Sequence, residues 1–329
     1  MAEYLKSNTR EVVMKVLQKV MMMMLFLATC SSFAGQQIDK SLTVSDVSSV
    51  NIENLRGNIT VIGWDKGTIS VKGELEDDAE GLLFKQEGSR VKIKVELENK
   101  SNNFWGNNAK GSVLTIHMPK NIRVSFEGIA SDINFENLHA SVEAKTVSGN
   151  IQAVNLSERI ELISVSGDID SSQLSGKVSL SSVSGNIKDR QSRGRLSLRV
   201  VSGEIDAQSA AKEVMIENVS GNINIGLNET DELSVANVSG DFSGTVSLND
   251  GGVVKMSSIS GGLALKLQKN VQASFRLSAS AGGDITNKIT TQKSNKAKYG
   301  PSSKLYFETG SANANVRANT VNGNIRVSN

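Results

Sequence analysis

Apolar and polar positions alternate in short runs along most of the chain, and the runs come back at a fixed interval. Between Thr146 and Ile187 the sequence TVSGNIQAVNLSERIELISVSGDIDSSQLSGKVSLSSVSGNI carries the motif V-S-G-[N/D]-I three times. The motif begins at Val147, Val165, Val183, Val201 and Val219, eighteen residues apart each time. It returns at Val238 and Ile259, in degraded form near Ala281 (AGGDI), and again at Val321 (VNGNI). One period upstream, Ile129-Ala-Ser-Asp-Ile133 fits with Ser131 in the glycine slot. Each period also holds a second apolar pair, at Ile160/Leu162, Val178/Leu180, Leu196/Leu198 and Val214/Ile216. Strict alternation of this kind predicts two short β-strands per period. Turn-like letters stand before the second strand, as in Asn155-Leu-Ser-Glu158, Leu174-Ser-Gly-Lys177 and Ser192-Arg-Gly-Arg195. The two apolar sets differ in parity, so a corner must separate them. No apolar residues recur at three and four, which argues against helix.

A fixed period of this length is the signature of a repeat architecture. The expected fold class is all-β, a single-chain β-solenoid (β-helix) with coils of about 18 residues. One coil cannot bury its own apolar face. Stacked copies complete the core and supply one another's main-chain hydrogen bonds, which is why the letters return. Gly149, Gly167, Gly185, Gly203, Gly221 and Gly240 are expected in one crowded column. The position after them reads Asp132, Asn150, Asp168, Asn186, Glu204, Asn222 and Asp241, mostly alternating acid and amide. An amide between two acids relieves repulsion on the order of 1 kcal/mol at ~4.8 Å in water, so this row is expected to be a structural ladder. Beyond Val219 the periods lengthen, and the extra residues are expected between the two strands, at Leu227–Asp231 and Leu248–Gly252.

The flanks are less regular. Val50–Ile52, Asn58–Ile62, Thr68–Lys72, Val91–Val95 and Val113–His117 read as strands, and residues 35–128 are expected to form opening coils or an N-terminal β cap. Residues 129–285 are the regular repeats. Residues 286–329 begin with a polar, lysine-rich loop and end in a closing coil. Phe104 and Trp105, in a polar loop, are expected to fold over an end of the stack rather than to grip a ligand.

Composition sharpens this picture. Hydrophobic residues are 38% of the 329, enough for a core, but aromatics are only 4% and prolines two against 29 glycines. That mixture suits β structure and disfavours a large helical enzyme. Residues 1–34 read as a signal peptide: Lys15 and Lys19 precede the apolar run Met21–Ala28, and Ser32-Phe33-Ala34 offers a cut before Gly35. The run is short for a membrane span. Met14 is an alternative start. Cys30, the only cysteine, also allows a lipid anchor, because Leu27-Ala-Thr-Cys30 is close to a lipobox. Removing residues 1–34 takes away four of 36 basic and two of 34 acidic residues, leaving 32 of each sign. A balanced surface carries no electrostatic footprint for nucleic acid.

Catalytic chemistry is hard to place. His117 and His139 are isolated, and a metal site wants more ligands in a recognisable spacing. Ser148, Ser166, Ser184 and Ser202 form a column, whereas a seryl hydrolase needs one serine with a paired base. No catalytic, cofactor-binding or metal-binding residue is assigned, and no cofactor is implied.

The succession LRGNITVIGWDKGTISV, then VLTIHMPKNIRVSF, then reiterated VSG[ND]I resembles the bacterial putative-adhesin family, over about residues 40–329. The resemblance implies an exported β-solenoid domain of unknown function, a cell-envelope location (periplasm or cell surface), and a non-enzymatic role such as adhesion or envelope-stress sensing. It brings no catalytic residues. The expectation is therefore a non-catalytic envelope scaffold or binding module whose partner is an envelope protein or a polysaccharide. The alternatives are a polysaccharide-active β-helix enzyme and a sensor docking a membrane partner.

Overall fold

The structure is a computed structural model that describes residues 35–97 and 110–329. The expected signal segment, Cys30 and the Phe104–Trp105 pair lie outside the described residues. Gln36–Asn329 forms one compact unit. It is all-β, with no helix among the described residues.

The strands in chain order are β1 (Gln37–Thr43), β2 (Ser49–Trp64), β3 (Thr68–Glu74), β4 (Ala79–Glu87), β5 (Arg90–Leu97), β6 (Ser112–Pro119), β7 (Arg123–Leu138) and β8 (Val142–Thr146). There follow β9 (Ile151–Leu156), β10 (Arg159–Ser164), β11 (Ile169–Ser172), β12 (Ser175–Ser182), β13 (Ile187–Ser202), β14 (Ile205–Ser220), β15 (Ile223–Ser239) and β16 (Phe242–Ser260). The chain ends with β17 (Leu263–Leu267), β18 (Ala273–Ala279), β19 (Ile285–Asn287), β20 (Asn295–Lys296), β21 (Ser303–Glu308), β22 (Ala314–Asn322) and β23 (Ile325–Ser328). Every strand foreseen in the first third is present; β1 and β4, whose apolar alternation is weaker, are additional.

Through the middle, neighbouring strands are parallel and a residue faces its counterpart one period on. Ile151, Ile169, Ile187 and Ile205 lie in register, and so do Ile160, Val178, Leu196 and Val214. The two strands of a period build two walls. The longest strands, β2, β7 and β13 to β16, run through the corner and belong to both. Alternate residues point inward from each wall. The resulting core is largely aliphatic, with Ile205, Ile216 and Leu233 fully buried beside a few phenylalanines such as Phe242. Burying one such side chain stabilises the fold by ~1.5–3 kcal/mol. The extra residues after Val219 fall between the walls as expected, where the register shifts at Leu227/Thr230 and Thr230/Glu232.

The glycine column is vertical. A side chain on Gly167 would overlap the Gly149 carbonyl oxygen, and one on Gly185 would overlap that of Gly167. Close approach of successive main chains, not a turn alone, demands glycine here. The corner is stapled from inside by buried hydroxyls. Ser164 Oγ accepts the Gly167 N–H at 2.8 Å and donates to the Gly149 carbonyl at 3.2 Å. Ser182 repeats both bonds one period on, to Gly185 and Gly167.

The ends depart from this rule. At the amino-terminal end the last partners are antiparallel: β4 on β5 in one wall, β3 on β6 and β1 on β3 in the other. At the other end β21 lies antiparallel on β18. The stacking order there also departs from chain order. β22 pairs with β16 on one side and β18 on the other, and β23 sits between β17 and β19. The last period of the chain is thus threaded between the two that precede it. The motif at Val321 rests on that at Ile259, and AGGDI lies beyond it: side chains on Gly323 and Gly283 would overlap the carbonyls of Gly261 and Gly323 respectively.

Candidate functional site

Three rows of side chains run along the stack, each because one position of the period repeats. The first is the acid–amide row. Its side-chain oxygens do not mainly bond to one another; each takes a main-chain N–H of the next period. Asp132 Oδ1 accepts from Asn150 N at 2.6 Å, Asn150 Oδ1 from Asp168 N at 2.9 Å, Asp168 Oδ1 from Asn186 N at 2.7 Å, and Asn186 Oδ1 from Glu204 N at 2.8 Å. The row resumes with Asn222 Oδ1 and Asp241 Oδ1, which take Asp241 N and Gly262 N. The ladder expected from the sequence is present, but its working atom is the oxygen that Asp and Asn share. Charge relief is a secondary benefit of the alternation.

The second row was hidden in the motif itself. The valine that opens V-S-G points outward. Ile129, Val147, Val165, Val183 and Val201, continued by Val219, Val238, Ile259 and Val321, are all exposed. The hydrogen bonds from Ser166 N to Val147 O and from Ser184 N to Val165 O keep them in line. The carboxy-terminal half of this row, with the buried Val200, Asn218 and Asn237, lines a groove of about 600 Å³. Burial could not be told from exposure for these valines by hydropathy alone; the parity across the corner was the available signal.

The third row lies at the corner between the walls, where Asn137, Asn155, Gln173 and Gln191 repeat at eighteen residues with φ of 58°, 54°, 56° and 60°. These are left-handed conformations that side chains other than glycine and asparagine adopt at a cost. Asn155 Nδ2 donates to Asn137 Oδ1 at 2.7 Å. Farther along, the row opens into a groove of about 700 Å³ lined by Asn155, Gln173, Gln191, Arg193, Gln208 and Asn228. Gly226 leaves the space that the Gln208 amide occupies, since a side chain there would meet Gln208 Oε1.

Inside the stack, Asp189 is fully buried. It stands in the inward position held by Ala153, Ser171 and Ala207 in neighbouring periods. Ser171 Oγ donates to its Oδ1 at 2.8 Å and Ser192 Oγ donates to the same oxygen, while Oδ2 has no partner. Burial pushes this carboxyl above the usual carboxylate range, against the opposing pull of the two hydroxyls. The signal for it in the sequence is an acid in the I-x-A position of the period, in Ile187-Lys-Asp189.

The two histidines and the serine column, to which the sequence assigns no chemistry, stand apart from one another. His117 packs beside Trp64, ring centroids 5.1 Å apart, and His139 Nδ1 lies 3.1 Å from Ser157 Oγ. Ser148, Ser166 and Ser184 form their column through main-chain N–H bonds to Ile129, Val147 and Val165. Among the described residues no group of three His, Cys, Asp or Glu could hold a metal ion, and no helix is long and apolar enough to cross a membrane.

None of the curated proteins compared with the chain matches it. Among solved structures, the chain is similar to a putative adhesin from Bacteroides fragilis, at 15% identity and a TM-score of 0.39, over 89% of this chain and 97% of that one. It is also similar to a putative cell adhesion protein from Clostridium sporogenes, at 12% identity and a TM-score of 0.27, over 89% and 99%. A putative lipid binding protein from Parabacteroides distasonis is similar at 16% identity and a TM-score of 0.37, over 71% and 98%. The match to the family described as Toastrack DUF4097 runs over residues 6–328. With nearly its whole length matched, and with the reiterated motif that suggested the resemblance lying on one stacked framework, the chain belongs to the Toastrack DUF4097 family.

Proposed function

We propose that the chain is an exported, non-catalytic β-solenoid that acts as a binding scaffold in the cell envelope and presents its amide-lined corner groove to polysaccharide. The observation that carries this reading is the row Asn137, Asn155, Gln173 and Gln191, which keeps its left-handed backbone through successive periods. A left-handed backbone repeated at one register position, at a steric cost for Gln173 and Gln191, invites a functional reading. Side-chain amides both donate and accept, as sugar hydroxyls do. A row of them at the ~4.8 Å spacing of stacked strands offers a linear polymer many weak, equivalent contacts, and these add by avidity. The row focuses no acid, base or nucleophile on one bond, so binding rather than turnover is its chemistry. Residues 1–34 serve export in this reading, and Gly35 begins the mature chain.

Calorimetry of the purified protein against fragments of envelope polysaccharide tests it. Binding is expected, and Gln208→Ala with Arg193→Ala is expected to weaken it about tenfold, which corresponds to ~1.4 kcal/mol, without changing the melting temperature. Release of reducing ends from any fragment would replace the scaffold by an enzyme. Recovery of the protein from the cytoplasm with residues 1–34 intact would remove the envelope.

A further inference from the structure

We infer that the outward aliphatic row is the interface of a homodimer in which two copies dock antiparallel along it. The row is nine residues long, each between 36 and 55% exposed. At ~4.8 Å per strand it spans roughly 38 Å. Soluble monomers rarely leave a continuous apolar strip of that length open. One outward column acts as an internal control. The column two residues before the row reads Glu127, Lys145, Ile163, Ser181, Arg199, Glu217, Ala236, Ser257 and Asn319 in register. At that column the fold accepts almost any side chain, whereas the exposed column just after the row, from Ser148 to Ser260, is uniform but polar. The row itself is aliphatic at all nine positions, so strand formation alone does not explain it.

The partner that fits such a row is the same row. Its side chains have one pitch, so only a surface of that pitch can interlock with it from end to end, and a second copy has that surface by construction. A two-fold axis makes the contact self-complementary and closed. The charges in the flanking column select the register. An axis through Val201 pairs all nine positions but sets Arg199 against Arg199 of the second copy. Moving the axis half a period, to lie between Val201 and Val219, keeps eight pairs. Arg199 then faces Glu217 of the second copy, reciprocally, while Lys145 faces an asparagine and Ser181 an alanine. Moving it the other way also keeps eight pairs but sets Glu217 against Ile163. Within one copy Arg199 Nε already meets Glu217 Oε2 at 2.6 Å, so the dimer joins two such pairs head to tail into a square of alternating sign. Opposite charges placed this way favour one register over its neighbours.

The register predicts Val183 opposite Val238 of the second copy, two residues too far apart within one chain to be bridged directly. Sedimentation of the purified full chain at tens of micromolar is expected to show a dimer. Val183→Cys and Val238→Cys, prepared separately and mixed under mild oxidation, are expected to give at least ten times more disulfide-linked dimer than either alone. Val201→Glu is expected to weaken the dimer at least a hundredfold with unchanged circular dichroism. Val201→Thr, which keeps the branched shape, controls for any loss of strand structure and is expected to weaken it less. A monomer under these conditions, a Val201→Glu protein that remains dimeric, or cross-linking no greater in the mixture than in the separate variants would each overturn the inference. None of these outcomes bears on polysaccharide binding at the other corner.

Discussion

The middle of the stack and its carboxy-terminal end are built from the same motif, yet they obey different rules. From Arg123 to Ser220 each period rests on the one before it, and chain order equals stacking order. At the end, residues 314–328 are threaded between two earlier periods, and β18 and β21 close the wall beyond them. In the middle, neighbours in the stack are separated by one period of chain and can form progressively. At the end, β16 and β22 are joined only after the chain has gone out to β21 and come back. Closing such a loop has an entropic cost before contacts repay it. A repeat read along the chain therefore describes the interior of the stack faithfully and its terminus only by composition.

The sharpest way to break this comparison is truncation. Removing residues 313–329 would delete the terminal turn of an ordinary repeat array, where the loss should be small and local. Here it would strip a partner from β16, β17, β18 and β19 together. We expect hydrogen exchange across Leu263–Leu267 and Ala273–Ala279 to lose its protection and the truncated protein to aggregate through the open edge of β16. Protection retained at the β18 amides that face away from β21 would mean that this strand pairs with β16 unaided.

Next in size is the glycine column. Gly185→Ala forces a methyl group onto the Gly167 carbonyl oxygen, backbone that cannot step aside without moving the whole stack. A loss of about 3–5 kcal/mol in urea unfolding is expected. Gly81→Ala on the edge strand β4 meets nothing within 4 Å and should change stability by less than about 0.5 kcal/mol. Equal losses at both sites would show that glycine is kept for flexibility and not for close approach.

Asp189 probes the middle of the stack by chemistry. Because burial raises its pKa in the folded state, folding favours the protonated form. Its favourable contribution is complete below the unfolded carboxylate pKa of ~3.9 and is lost as the pH rises through the higher folded value. Asp189→Asn should therefore stabilise the protein at pH 8, on the order of 1–3 kcal/mol, the range for a buried polar group left short of partners. At pH 4 the two proteins should melt together. The comparison is read from thermal unfolding at the two pH values.

How much of this was legible beforehand depends on whether a residue's neighbour is its own copy. The isoleucines and leucines of the two walls, the glycines and the acid–amide row were all readable, because each side chain packs against one of its own kind a period away. The threading of β22 was not, since VNGNI shares only a glycine with ISGGL and a glycine and an isoleucine with AGGDI, and nothing local says which it will touch. β1 and β4 were missed because their outer faces have no stacked copy to impose alternation. The outward facing of the motif valines is not legible either, because β-branched residues are favoured in strands whether they face in or out.

The smallest effect tests the ladder itself. Asn186→Asp keeps Oδ1, so the hydrogen bond from Glu204 N survives and only a charge is added, beside Asp168 and Glu204. Both lie one strand away in the stack, where repulsion is on the order of 1 kcal/mol in water. The site is exposed, so screening applies, and the loss should fade when salt rises from about 0.05 to 1 M as the Debye length falls to ~3 Å. Asn186→Ala removes the acceptor instead and should cost about 0.5–1.5 kcal/mol at either salt concentration. Loss of stability in Asn186→Asp that persists in high salt would mean that the amide's N–H donors, and not the oxygen it shares with aspartate, hold this row together.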